Sequence, residues 1–438
     1  MEHLLQMNGR LCSCGKIHSF SSQIISGTGV LARLPECAKQ LGAQRVFVLS
    51  DRNTYTAAGA KACQLLEAAG FSVVCFSLDT DTPEPNEESV GTALLHYDCH
   101  CDLVVGVGSG VINDIGKLIS AAARVPYIIV ATAPSMDGYA SATSSMTRLG
   151  LKVSLNTKAA DVIIGDTDIL CQAPLHMMKS GLGDMLAKYV SICEWRIAQV
   201  VTGEYYCEEI ARLIRHAVKR CTDNAQGLLR REAAAAQAVF EGLVIGGVAM
   251  NYAGLSRPAS GVEHYISHVL DMRGAAFGTP TQLHGIQCAV GTLEAVRLYE
   301  KLVQLSPSRE QALTYAAGFD YPAWANQLRR FLGKGAEQMI TLEEKEKKYD
   351  PERHAQRLEV ILSHWQEILN IISCELPARK QLEQLLTEME MPCSLSDIQI
   401  PAQQRPILLA ATKDIRDKYV LSRLAWDLGV LEQLTTQS

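Results

Sequence analysis

The sequence predicts an α/β N-terminal domain built on a parallel dinucleotide-binding sheet, followed by an all-α C-terminal domain. The expected boundaries are 1–166 and 167–438, with an active site in the interdomain cleft, where small molecules usually bind. Three observations carry this. At 438 residues the chain exceeds what one core usually holds. Its first part alternates helical patterns with strands that are unbroken apolar runs, the mark of a parallel sheet covered on both faces. From Pro174 onward the pattern is helical nearly to the end.

In chain order, "VLARLPECAKQLG" reads as a helix stopped at Gly42, and "RVFVLSD" as a buried strand. The helix "TAAGAKACQLLEAAG" ends at Gly70 and leads into the strand "FSVVCFSL". After the loop "DTDTPEPNEES" come a helix over 88–97 and the strand "CDLVVGVG". The helix "INDIGKLISAAAR" precedes the strand "PYIIVAT". "MTRLGLKVSLNT" reads as a hairpin turning at Leu149-Gly150, and "DVIIGDTDIL" as the last strand. Helical patterns follow in "LGDMLAKYVSICEWRIAQ", "EEIARLIRHAVKRCTDN", "REAAAAQAVFEGLVIGGVAM" and "PARKQLEQLLTEMEM". The charged stretch "TLEEKEKKYDPERHAQR" reads as a solvated helix laced with ion pairs.

Hydrophobic residues make up 47% and charged residues 20% of the chain, as in a globular protein. The net charge of -6 and the absence of a basic tract argue against nucleic acid as a partner. The start "MEHLLQMNGRLCSCGKIHSF" lacks the pattern of a signal peptide, and the richest apolar run, "DLVVGVGSGVI", breaks at glycines. A cytoplasmic protein without a membrane span is expected. The 14 cysteines are scattered through apolar segments, which suits reduced core thiols better than a disulfide framework. One cluster, Cys12, Cys14 and His18 in "CSCGKIH", offers three metal donors. Its spacing matches no closed four-ligand zinc site and no fourth ligand follows nearby, so structural zinc is the lesser reading.

"LVVGVGSGVINDIGK" places Gly106, Gly108 and Gly110 between a strand and a helix, where backbone can approach a pyrophosphate and a helix N-terminus offers N–H groups. The spacing departs from G-x-G-x-x-G. A second polar loop, "ATAPSMDGYAS", ends the next strand at the same carboxyl edge, and together they favour dinucleotide binding. Asp51, after "RVFVLS", is placed either to bond a ribose hydroxyl or to cap the next helix. In "SGVEHYISHVLDM", His264, His268 and Asp271 share one helix side and Val262, Tyr265, Ile266, Val269 and Met272 the other, which alone reads as an ordinary amphipathic surface helix. "SGLGDMLAKYV" adds Asp184 and "PTQLHGIQCAVG" adds His284. One carboxylate with two or three imidazoles is the donor set of an open divalent-metal site.

In "GVGSGVINDIGK", "TAPSMDGYAS", "GLGDMLAKY", "SGVEHYISH" and "LHGIQCAVGT", in that order, the chain resembles the bacterial glycerol-1-phosphate dehydrogenases. These belong to the superfamily of iron-dependent alcohol dehydrogenases, glycerol dehydrogenase and dehydroquinate synthase. The resemblance covers roughly residues 10–300. It implies that Asp184, His264 and His284 are metal ligands, and that Asp137, Asp184 and His268 bind substrate; Asp184 and His268 are the catalytic candidates, with His268 or water expected to protonate the alkoxide. It places NAD(H) or NADP(H) at Gly108, Ser109, Gly110, Val111, Ile112, Asn113 and Asp114, at Thr132, Ala133, Pro134 and Ser135, at Ser141, and less firmly at Asp51. The implied reaction is reduction of dihydroxyacetone phosphate to sn-glycerol 1-phosphate, in phospholipid synthesis. It implies one divalent ion, nickel or zinc before iron, and a homodimer. Lys188 is a cation for the substrate phosphate or the partner of Asp184 one turn away. Glycerol dehydrogenase and dehydroquinate synthase chemistry are the alternatives within the superfamily, and a metal- and nucleotide-binding regulator the one outside it.

Overall fold

The computed structural model describes residues 7–148 and 151–436. These fall into two compact units, one drawn from Met1–Met185 and Arg212–Leu255, the other from Leu186–Ala211 and Ser256–Ser438.

The first unit contains the strands β1 (Gln23–Gly27), β2 (Arg45–Asp51), β3 (Ser72–Leu78), β4 (Leu103–Gly108), β5 (Tyr127–Ala131), β6 (Thr143–Arg148), β7 (Leu151–Asn156) and β8 (Val162–Asp166). Six of them form a parallel sheet in the order β1-β8-β5-β4-β2-β3. β6 and β7 pair antiparallel as the hairpin expected from "MTRLGLKVSLNT"; the Leu149-Gly150 turn lies outside the described residues. Val46, Phe47, Val48 and Leu49 of β2 are all fully buried, so both faces of the sheet are covered, as the unbroken apolar run requires. On one face Val46, Val48, Val105, Ile128, Val130 and Ile164 pack with Leu34 and Ala38 of α1 (Leu34–Gln40) and Ala62 and Leu66 of α2 (Ala60–Ala68). The helices α3 (Glu87–His96) and α4 (Gly110–Ala123) complete the alternation.

Next come α5 (Leu175–Leu186), α6 (Lys188–Thr202), α7 (Glu208–Asp223) and α8 (Ala233–Ala253). α8 belongs to the sheet unit and lies so close to β8 that a Cβ on Gly165 would enter the Phe240 ring. By length and composition alone it could cross a membrane, although the sequence predicts no membrane span. However, 78% of its most apolar window is buried inside the fold, which is what makes it apolar all round. The second unit is helical and includes α9 (Val262–Phe277) and α10 (His284–Leu302).

Three further expectations need correction. β1, "QIISG", went unrecognised because it is a short edge strand, paired only with β8 and carrying Gln23, Ser26 and Gly27 in place of an apolar run. The tail of "DVIIGDTDIL" is not strand: Asp166 accepts from the Asp168 N–H and opens a helical turn over Thr167–Leu170. The charged stretch is not one solvated helix. Lys347 takes a left-handed φ of 50°, and the chain restarts as Pro351–Ser363 with Asp350 as cap. Glu343, Tyr349 and His354 point inward there. They border a buried cluster in which Asp414 accepts from Tyr349 Oη at 2.6 Å, Trp324 Nε1 at 2.9 Å, Lys413 Nζ at 2.7 Å and Arg423 Nη2 at 3.0 Å. Burial would raise the Asp414 pKa, but the Lys413 ammonium and Arg423 guanidinium hold it below the usual carboxylate value.

Candidate functional site

The two glycine-rich loops meet at the carboxyl edge of the sheet. Ser109, the N-cap of α4, makes no side-chain cap. Its Oγ instead lies 2.5 Å from Ser135 Oγ and bridges the ends of β4 and β5. The first turn of α4 therefore presents N–H groups without a side-chain cap, an arrangement that suits an anion. Asn113 donates to the Gly138 carbonyl at 2.9 Å, while its buried Oδ1 has no hydrogen-bond partner. Lys117, buried one turn later, donates to the Gly138 and Thr143 carbonyls and pairs with Asp114 at 3.0 Å. This amine, which the sequence reading did not single out, ties the 132–143 loop to α4.

The glycines divide the work. A Cβ on Gly106 would strike the Tyr127 hydroxyl, so that position serves strand packing; one on Gly108 would come within 2.5 Å of Ile112 Cβ at the strand-to-helix turn. Asp51 closes a capping box with Thr54, its carboxylate accepting the Thr54 N–H at 2.9 Å. It also ends β2, the neighbour of β4, where a ribose-binding acid belongs in such sheets. Thr132, Ala133, Pro134 and Ser135 are buried in the β5 loop, with Val111, Asp137 and Ser141 partly exposed.

Asp184 is fully buried on α5, and its Oδ2 accepts the Asp137 N–H at 2.9 Å. Two of the acids that the resemblance implicates are thus directly joined. α5 approaches this loop at Gly181, where a Cβ would collide with the Pro134 carbonyl oxygen, and Ser180 donates to the Ser135 carbonyl at 3.0 Å.

In the second unit α9 is not a wet surface helix. His264 is buried and His268 half-buried, because α10 packs along this side. The ring centroids of His264 and His284 lie 5.0 Å apart, and those of His268 and His284 6.4 Å. His264 Nδ1 is 2.8 Å from Glu263 Oε1, and His284 Nδ1 is 3.2 Å from Ser267 Oγ. In both rings Nδ1 faces a neighbour that can orient the imidazole, the arrangement that second-shell partners commonly give a metal-binding histidine. The donor set fits a divalent ion on that count. Cys288, one turn after His284, brings its thiol to 3.6 Å from His284 Nε2. Burial raises that thiol's pKa, but the His264 and His284 imidazoles outweigh it and the net shift is downward.

Glu263 and Cys288 were missed by sequence reasoning. Glu263 was visible as the carboxylate beside His264 in "VEHYISH", but nothing in the spacing separates an orienting acid from one that favours a helix N-terminus. Glu263 also accepts the Gly261 N–H at 2.6 Å. Beside it Glu194 accepts the Val262 and Leu421 N–H groups, and burial together with the Glu263 charge pushes its pKa up to about 8. Replacing Glu263 with Gln keeps an acceptor for His264 but removes the charge. Metal affinity, measured by competition with a chelator, should fall about 10- to 100-fold; unchanged affinity would show that Glu263 does not tune the ligand.

Residues 25–174 match the iron-containing alcohol dehydrogenase family, a class of oxidoreductases. The fold is that of a solved 1,3-propanediol oxidoreductase, 15% identical with a TM-score of 0.64 over 96% of this chain and 100% of that one. A glycerol-1-phosphate dehydrogenase (NAD(P)+) of Bacillus licheniformis is 30% identical over 306 residues, 69% of this chain and 76% of the relative. The enzyme of the same name from Halalkalibacterium halodurans is 30% identical over 308 residues, 68% and 77% of the two chains. The chain belongs to this glycerol-1-phosphate dehydrogenase family.

Proposed function

We propose that the protein reduces dihydroxyacetone phosphate to sn-glycerol 1-phosphate with NADH or NADPH, and runs the reverse reaction. The observation that carries this is the kinship with relatives bearing that enzyme name, joined to a pair of histidines whose Nδ1 atoms are held by Glu263 and Ser267. Asp184, His264 and His284 would hold one divalent ion; this mixed nitrogen and oxygen set accepts zinc, nickel or iron, and the resemblance to the bacterial enzymes favours nickel or zinc. Such an ion, when bound, supplies Lewis-acid stabilisation of charge on the ketone oxygen.

The chain's own residues do the rest. The uncapped start of α4 receives the pyrophosphate and Asp51 the ribose. Thr132–Ser135 and Ser141 line the cofactor on the next loop. Asp137 and His268 would orient the substrate, and His268 would deliver the proton that completes the alcohol; NADH or NADPH, when bound, would supply the hydride. The protein works as a cytoplasmic homodimer on this reading. A carboxylate at Asp51 repels a 2′-phosphate, which favours NADH over NADPH.

The test strips the purified protein with chelator and follows NADH oxidation with dihydroxyacetone phosphate, after restoring zinc, nickel or iron. Metal-dependent turnover of the phosphate ester, with sn-glycerol 1-phosphate as product, is expected. Preference for unphosphorylated dihydroxyacetone would move the reading to glycerol dehydrogenase. Binding of metal and NADH without turnover of either would end it.

A further inference from the structure

The segment ahead of the sheet folds as a tight hairpin. Gly9 N donates to the His18 carbonyl at 2.7 Å, Cys12 N to that of Lys16 at 2.9 Å, and Gly15 N to that of Cys12 at 2.9 Å. Gly15, at φ 81°, makes the reversal, and Leu11 pairs antiparallel with Ile17. The hairpin draws Cys12, Cys14 and His18 together, with donor atoms within 4.8 Å of one another.

Two details point to an ion. Cys14 Sγ stands 3.5 Å from His18 Nε2. A tetrahedral zinc with bonds of about 2.3 Å to sulfur and about 2.05 Å to nitrogen separates those two atoms by about 3.6 Å. His18 is buried, and its Nδ1 lies 2.9 Å from the Tyr252 carbonyl oxygen at the end of α8. A carbonyl only accepts, so Nδ1 carries the proton and Nε2 turns its lone pair towards the cysteine, the tautomer of a metal-bound imidazole. The hairpin's apolar side chains cannot anchor it, since Leu11 is 74% and Ile17 64% exposed. A metal clip would supply the hold that burial does not.

We propose that Cys12, Cys14 and His18 bind a structural zinc ion distinct from the metal of the dehydrogenase reaction. Binding releases the two thiol protons, and a fourth donor, from water or another side chain, completes the shell. The sequence argued against this because local spacing supplies only three ligands. It could not show the Tyr252 carbonyl, contributed 234 residues away, that fixes the imidazole.

The experiment measures metal per chain on the full-length protein and records the spectrum after cobalt substitution. The wild type should carry an ion with a thiolate-to-cobalt charge-transfer band in the near ultraviolet. Cys14→Ser should lose one metal equivalent and that band, while Cys288→Ser, beside the other metal, should keep both. Equal metal content in wild type and Cys14→Ser, or loss of the band only in Cys288→Ser, would overturn the proposal. So would an intact mass showing a native Cys12–Cys14 disulfide. Should Cys14→Ser fail to fold, wild-type protein titrated with an organomercurial must release zinc as its thiols react; no release would equally overturn it.

Discussion

Asp184→Asn is expected to leave the protein folded and to lower metal-dependent turnover by about 10³-fold or more. The side chain is fully buried, and its Oδ2 accepts the Asp137 N–H. An amide oxygen keeps that bond, so the melting temperature should move little. What disappears is the negative charge that would offset a bound divalent ion. Metal stabilisation of a developing alkoxide amounts to several kcal/mol, and each 1.36 kcal/mol is a factor of ten in rate. Metal content, melting temperature and kcat/KM measured on the same preparation separate the two effects. A variant with full metal and undiminished turnover would remove Asp184 from the ligand set; one that unfolds would make it a structural residue.

The largest effect on stability is expected at Asp414→Ala. This carboxylate takes four hydrogen bonds from buried donors, including the Lys413 ammonium and the Arg423 guanidinium. Without it the two buried cations lose the carboxylate they share, keeping only the Coulombic pull of Asp427 and Glu343 on Arg423 and of Glu432 on Lys413, and breaking such a group costs about 3–5 kcal/mol. Burial already lowers the Lys413 pKa, so the variant should relieve part of the strain by releasing that proton. Its urea midpoint should therefore recover somewhat at high pH. A loss below about 1 kcal/mol at neutral pH would mean that the cluster is not a keystone of this half of the chain.

Most of the sheet unit could be read from the chain because parallel strands buried on both faces leave continuous apolar runs, as "RVFVLSD" and "CDLVVGVG" do. β1 could not, because an edge strand buries only part of one face and so needs fewer apolar residues. For the site, residue type and order were visible; partnership was not. Asp184, His264 and His284 can be picked out as metal-ligand types, whereas the roles of Glu263, Ser267 and Lys117 depend on which nitrogen or carbonyl they reach. The charged stretch misled for a related reason. Glu343 and His354 have the same letters whether they face water or a buried cluster, and the periodicity of a charged helix does not distinguish them.

The contact between Gly181 and the Pro134 carbonyl has a bearing on how this enzyme can change. The helix that bears Asp184 and the loop that ends β5 share one backbone approach with no room for a methyl group. Neither can shift alone, so the spacing between carboxylate and loop is inherited as a single unit. A lineage, or an engineer, altering cofactor preference is thereby steered away from 132–135 and 181–184, where any change moves the acid as well. The place left to vary is the end of β2, where Asp51 stands two strands from β5 and where exchanging one acid disturbs a helix cap.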